Sequence, residues 1–218
     1  AKGNITLKLL DNVKSVSAEA IKAIISHLNK VFYGVSASIS EDIKKEARVW
    51  LNDEQVIRDL KGSGTLNAEI GLPTGQASSA ADAIVEAILE SLDVKFKRFD
   101  TNLSGGLSIG IQPEDFQNIL GIGQATILTA KGQKLDWLQW LLQSGSRIII
   151  RDYDIAYGSY GRRSRSGQGA IMVKTGKGGW KMPSQYSGTS DNNFVTRAFE
   201  DREDDIARII SKRVKSKI

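Results

Sequence analysis

The sequence predicts a single α+β domain in which helices pack on an antiparallel sheet and a long glycine- and arginine-rich arm is inserted. Three observations predict it. Apolar residues recur at helical spacing over about 15–92, then alternate or run in β-branched blocks between glycine turns over about 93–182. No internal repeat or clean linker divides the 218 residues. The arm, about 158–169, is too polar to be core and too rich in glycine to be helix.

The first helix starts at Ser17, a good cap, and carries Ile21, Ile24, Ile25, Leu28, Val31 and Phe32 towards the core. A second opens on the capping box Ser38-x-x-Glu41, buries Ile43, Ala47, Trp50 and Leu51, and stops near Lys61-Gly62. Gly71-Leu72-Pro73-Thr74-Gly75 reads as a loop, and a third helix follows from about Ala77 to Leu92, burying Ile84, Val85, Ile88, Leu89 and Leu92.

Strands then take over. One is expected around Val94–Phe99, one over Leu107–Ile111 after the Gly105-Gly106 turn, and a short one over Ala125–Thr129. Leu135–Leu142 is a short helix, apolar around most of its circumference and hence covered on more than one side. Beyond Gly145 the β-branched run Ile148-Ile149-Ile150 begins a strand towards Tyr157, and Ala170–Val173 supplies another. Trp180-Lys181-Met182-Pro183 is an extended stop, because the residue before proline avoids the helical region. A last helix, about 191–214, is capped by Asp191 or Asn192 and carries Phe194, Ala198, Ile206, Ile209, Ile210 and Val214.

Composition removes several chemistries. There is no cysteine, so disulfides, thiolate metal sites and thiol nucleophiles are excluded. No apolar run reaches the ~20 residues of a membrane span, and the first residues carry no signal-peptide pattern, which together point to a protein made in the cytoplasm. The one histidine, His27, has no second ligand or patterned carboxylate nearby in sequence. Gly121-Ile122-Gly123 begins a dinucleotide fingerprint, but Thr126 replaces its third glycine; Gly176–Gly179 lacks phosphate-loop spacing. Glu114, Asp115, Asp152 and Asp154 are the right residue types for magnesium, yet Asp152 and Asp154 alternate with Tyr153 and Ile155 and read more simply as the polar face of a strand. The expectation is a protein without enzymatic turnover, cofactor or metal.

The net charge of +5 permits contact with nucleic acid without requiring it. The arm, GSYGRRSRSGQG, suits two roles. Its arginines can follow phosphates with Tyr160 stacking on a base, or it can order itself against a neighbouring protein chain. Composition leaves both open. The basic C-terminus, Lys212, Arg213, Lys215 and Lys217, adds to the nucleic-acid alternative.

The order of elements from 135 to 198 resembles phage tail-completion and neck proteins, the head–tail joining family of tailed bacteriophages. The residues that carry the resemblance are Leu135–Leu142, Ile148–Tyr153, Gly161–Gly167 with Ala170-Ile171-Met172, Trp180–Pro183, Gly188-Thr189 and Asn192–Ala198. It implies a structural virion protein, assembled in the host cytoplasm. It would form a ring, sixfold by the resemblance, between the head connector or head-completion protein and the tail tube or its terminator, with DNA passing through the lumen. No catalytic residue is carried over. On this reading Tyr160, Arg162, Arg163, Arg165, Trp180, Met182, Pro183 and Tyr186 are candidate contacts with neighbouring subunits or partners, and Trp137, Trp140 and Phe194 are candidate core anchors.

Overall fold

Val31, Val35, Ile39, Ile43, Ala47 and Leu51 fall four residues apart on one face, and that unbroken row holds a single helix, α1 (Val13–Asp53). The computed structural model describes residues 13–63, 65–111, 115–129, 132–160 and 163–217. At 1.5 Å per residue the 41 residues of α1 run for about 60 Å. The sequence suggests two helices here, but the capping pair Ser38 and Glu41 lies inside the one helix. No proline interrupts it, and Gly34 costs only about 1 kcal/mol against the burial of Val35, Ile39 and Ile43.

The helical path then breaks as expected near Gly62. A short α2 (Gln55–Arg58) passes into a π-helical turn over Asp59–Ser63, where Gly62 has φ 107°. Next comes α3 (Leu66–Ile70), ended by Gly71 in the left-handed conformation, φ 73°. After Pro73 the chain enters α4 (Thr74–Ser91), which lays Ala77, Ala80, Ala81, Ile84, Val85 and Ile88 into the core shared with α1.

Without a loop, α4 runs into β1 (Leu92–Lys97), which pairs antiparallel with β2 (Gly106–Ile111), Leu92 opposite Ile111 and Lys97 opposite Gly106. Asp100 organises the turn by accepting from the backbone N–H groups of Asn102 and Ser104 at 2.8 and 3.0 Å. This pair leans on α1. The Asn29 amide bonds both backbone groups of Phe99, and Phe32 packs against Phe96 and Phe99.

The second half folds around α6 (Trp137–Leu142), preceded by α5 (Gln117–Leu120) and the two-residue strands β3 (Ile127–Leu128) and β4 (Lys134–Leu135). Trp137, Leu138, Leu141 and Leu142 are all fully buried, which accounts for the apolar circumference of α6. A long ribbon follows, β5 (Ile148–Tyr157) against β6 (Ala170–Lys181). The fold is α+β, but its sheet is not continuous: β1–β2, β3–β4 and β5–β6 are separate antiparallel pairs, each closed by its own local turn.

The terminal helix also differs from expectation. It is two helices, α7 (Phe194–Phe199) and α8 (Glu203–Lys215), separated where Asp201 takes φ 57°. The cap is Asn193. Its side chain accepts from Val195 and Thr196 N–H, while the Thr196 hydroxyl accepts from Asn193 N–H. Phe194, Val195 and Ala198 enter the core, whereas α8 lies on the surface of α1 through half-buried Ile206, Ile210 and Val214. Arg213 fastens it there with two bonds to the Asp42 carboxylate, 2.6 and 2.8 Å.

Candidate assembly site

The β5–β6 ribbon is held to the body by polar tips on aromatic rings. The Trp180 indole donates to one oxygen of Glu69 at 3.1 Å, and the Tyr157 hydroxyl donates to the other. Burial first, and then the Glu69 carboxylate, push the Tyr157 phenol far above its ordinary pKa, so it remains a donor. Tyr186 repeats the arrangement with the buried carboxylate of Asp59, and burial again leads the upward shift. Trp180 and Tyr186 can enter the core because their polar tips meet an acceptor there, whereas Tyr157 stays half exposed.

At the far end of the ribbon the glycine–arginine segment folds back on itself. Gly158 N–H donates to Gly169 O at 2.8 Å, closing a loop that is tightened by Arg163 N–H to Tyr160 O and Gly167 N–H to Ser164 O. Inside it the hydroxyls of Ser164 and Ser166 meet at 3.2 Å in a buried pair. Arg165 then crosses to α3. Its Nε donates to Gly71 O and its Nη2 to Ile70 O, both at 2.9 Å, occupying carbonyls left open at the end of that helix. Burial lowers the pKa of this guanidinium, which stays charged because its ordinary value is so high. Over its described residues, 158–160 and 163–169, the expected arm is a loop whose serines and Arg165 make polar contacts within the chain itself.

Between ribbon, α3, β3–β4 and α6 lies a cavity of about 550 Å³. Trp140, Trp180, Ile150, Ile155 and Leu135 give it apolar walls, and Arg163 with Arg165 stands on its rim. Trp140 meets Trp180 edge-on, ring centroids 5.5 Å apart. Such a cleft suits an apolar side chain that carries, or lies beside, a negative group.

The sequence-derived contact residues divide unevenly around this geometry. Arg163 is exposed, and Tyr160 is half-buried with its ring against Gly158. Arg162 lies outside the described residues. Trp180, Met182 and Tyr186, expected at a contact surface, are 4%, 1% and 2% exposed and belong to the subunit's own core. Pro183 is half-buried and serves that core as well, its carbonyl accepting from Tyr186 and Ser187 N–H. Of the anchors, Trp137 and Phe194 are fully buried, and Trp137 donates to Gln124 O at 2.9 Å. Trp140 is only half-buried and faces the cavity.

Two features were missed. Glu69, the acceptor for Trp180 and Tyr157, sits in a short helix that the sequence pattern does not delineate, although Leu66 and Ile70 mark its inward face. The other is the first part of α1. Ile21 and Ile24, expected in the core, are 38% and 49% exposed; among the described residues the β1–β2 pair and its turn meet α1 further along, at Asn29 and Phe32. His27 is exposed on the same stretch, and Asp152 and Asp154 are exposed on the ribbon. Among the described residues no group of three potential metal ligands converges, and no helix is long and apolar enough to cross a membrane. No protein-family model, curated protein or solved structure matches this chain.

Proposed function

We propose that the protein is a structural subunit, without catalytic turnover, that joins the head connector of a tailed bacteriophage to its tail. The observation that carries this reading is the first part of α1. A helix that continues past its own core with Ile21 and Ile24 uncovered presents a surface whose burial favours another chain. The resemblance over 135–198 supplies the setting: a sixfold ring in the virion, assembled in the host cytoplasm, between the head-completion protein and the tail tube or terminator.

Closed rings use heterologous contacts, in which one patch of each subunit meets a different patch of the next. The exposed stripe of α1 and the cavity beneath Trp140 and Trp180 are two such patches on one chain. Arg163 at the rim gives the contact a charged register. Electron microscopy of lysates from a phage lacking the protein tests the reading. Filled heads and separate tails are expected, since a joining subunit acts after both are built. Missing heads, or complete infectious particles, would overturn it.

A further inference from the structure

Eight of the 30 basic residues but only two of the 25 acidic ones lie between 147 and 181, so this segment carries +6 and the remaining chain −1. The entire positive excess of the molecule therefore resides in the β5–β6 ribbon and its flanks. Cations elsewhere in the chain are in part neutralised by carboxylates, and among the described residues those of the ribbon are not. Arg48, Lys61, Arg202, Arg208 and Arg213 all form ion pairs with carboxylates. Arg147, Arg151, Arg163, Lys174, Lys177 and Lys181 are exposed and form none among the described residues.

Strand register explains how they are presented. Arg151 lies opposite Gly179 and Tyr153 opposite Lys174, so the single residue Asp152 on β5 faces a four-residue excursion, 175–178, on β6. Gly176 and Gly178, at φ 74° and 79°, and a bond from the Thr175 hydroxyl to Lys177 O shape that excursion around Lys177. We propose that this ribbon is a surface for the phosphate backbone of duplex nucleic acid. A protein partner would need an apolar anchor; the excursion has none, its side chains being Thr175 and Lys177, and the ribbon's exposed apolar residues, Ile148, Tyr153, Tyr157 and Met172, lie along its strands. Phosphates need only accessible positive charge, and a two-stranded ribbon is one of the shapes that the major groove admits.

The assignment moves the nucleic-acid surface away from the places sequence suggests. Arg165 is committed to the carbonyls of Ile70 and Gly71. At the basic end of α8, Arg213 is held by Asp42.

The test is fluorescence anisotropy of a short labelled DNA duplex with the full chain across a salt series. Three proteins are compared: the wild type, a ribbon variant (Lys174→Gln, Lys177→Gln, Lys181→Gln) and a tail variant (Lys212→Gln, Lys215→Gln, Lys217→Gln). The wild type is expected to bind with an affinity that falls steeply with salt. The ribbon variant should bind at least about tenfold more weakly at low salt, and its log–log salt slope should shrink by about 0.9 for each phosphate it no longer neutralises. The tail variant should bind within about twofold of wild type, both variants unfolding at the wild-type temperature because the altered side chains are exposed. No binding by the wild type, an unchanged ribbon variant, or loss confined to the tail variant would overturn the proposal. So would displacement of the duplex by an acidic polypeptide at lower charge concentration than by unlabelled DNA, which would point to a protein partner. Repeating the titration with Ile21→Ser, Ile24→Ser separates this surface from ring formation, since the proposal expects DNA binding to survive in isolated subunits.

Discussion

The guanidinium of Arg165 occupies the space that a side chain on Gly71 would need. A β-carbon at Gly71 would lie 2.5 Å from Arg165 Nη2, and the residue's φ of 73° already disfavours any side chain. The end of α3 and the tip of the β5–β6 ribbon are thus fitted to each other. Gly71→Ala is expected to release the tip and to cost stability through backbone strain as well, on the order of 1–2 kcal/mol. Arg165→Ala should release the tip alone. Hydrogen exchange reads the difference: amides of 163–169 should lose protection in Arg165→Ala while those of α4 keep theirs. Unchanged protection of the loop would show that its internal bonds suffice without the dock.

Asn67 offers the opposite sign. Its side chain is fully buried on α3, and neither its amide nitrogen nor its oxygen has a hydrogen-bond partner among the described residues. An unsatisfied buried amide costs about 1–3 kcal/mol, whereas an apolar group of similar shape costs little. Asn67→Leu should therefore raise the midpoint of urea unfolding. A lowered midpoint would mean that the amide is satisfied in the native protein.

Phe194 sits at the opposite extreme, fully buried behind the Asn193 cap. Phe194→Ala should destabilise the subunit by about 3 kcal/mol or more, as cavity-forming changes in well-packed cores do. A loss below about 1 kcal/mol in denaturant titration would place this helix outside the cooperative core.

Acidification should loosen α8. Hydrogen bonding from Arg213, outweighing burial, holds the Asp42 carboxyl below its usual value. A depressed acid contributes stability above its unfolded pKa and loses it as pH falls through the folded one. The loss therefore belongs to the acid side of the ordinary aspartate range, and solvent screening keeps it small. Asp42→Asn should flatten the acid limb of the stability–pH curve, measured by thermal unfolding at stepped pH. An unaltered acid limb would show that the pair contributes nothing.

Replacing Ile21 and Ile24 by serine should leave the unfolding temperature within a degree or two of wild type, since both side chains are exposed. Light scattering on the same protein should show smaller particles than wild type. A large loss of thermal stability with unchanged particle size would make this stretch part of the subunit core.

The helices of the first half were legible because their apolar spacing is regular, and α6 because tryptophan and leucine surround it. What sequence hid was continuity: the capping signal at Ser38 is real as local chemistry, yet the row from Val31 to Leu51 overrides it. The site was less legible than the fold. Tryptophan and tyrosine at 180 and 186 resemble interface residues until Glu69 and Asp59 are seen to satisfy them, and those acceptors lie 111 and 127 residues away in the chain. Arginine in a glycine-rich loop likewise looks free until a helix end receives it.

The division of the sheet into separate pairs bears on how the chain reaches this structure. Each pair joins neighbouring segments, so none of its ladders waits on a distant strand, and low contact order favours fast formation. The longest-range of these bonds is helical: Asp42 and Arg213 are 171 residues apart. Hairpins and α4 can therefore be in place while α8 is still searching for α1, and the bond between those two helices is the step that couples the beginning of the described chain to its end.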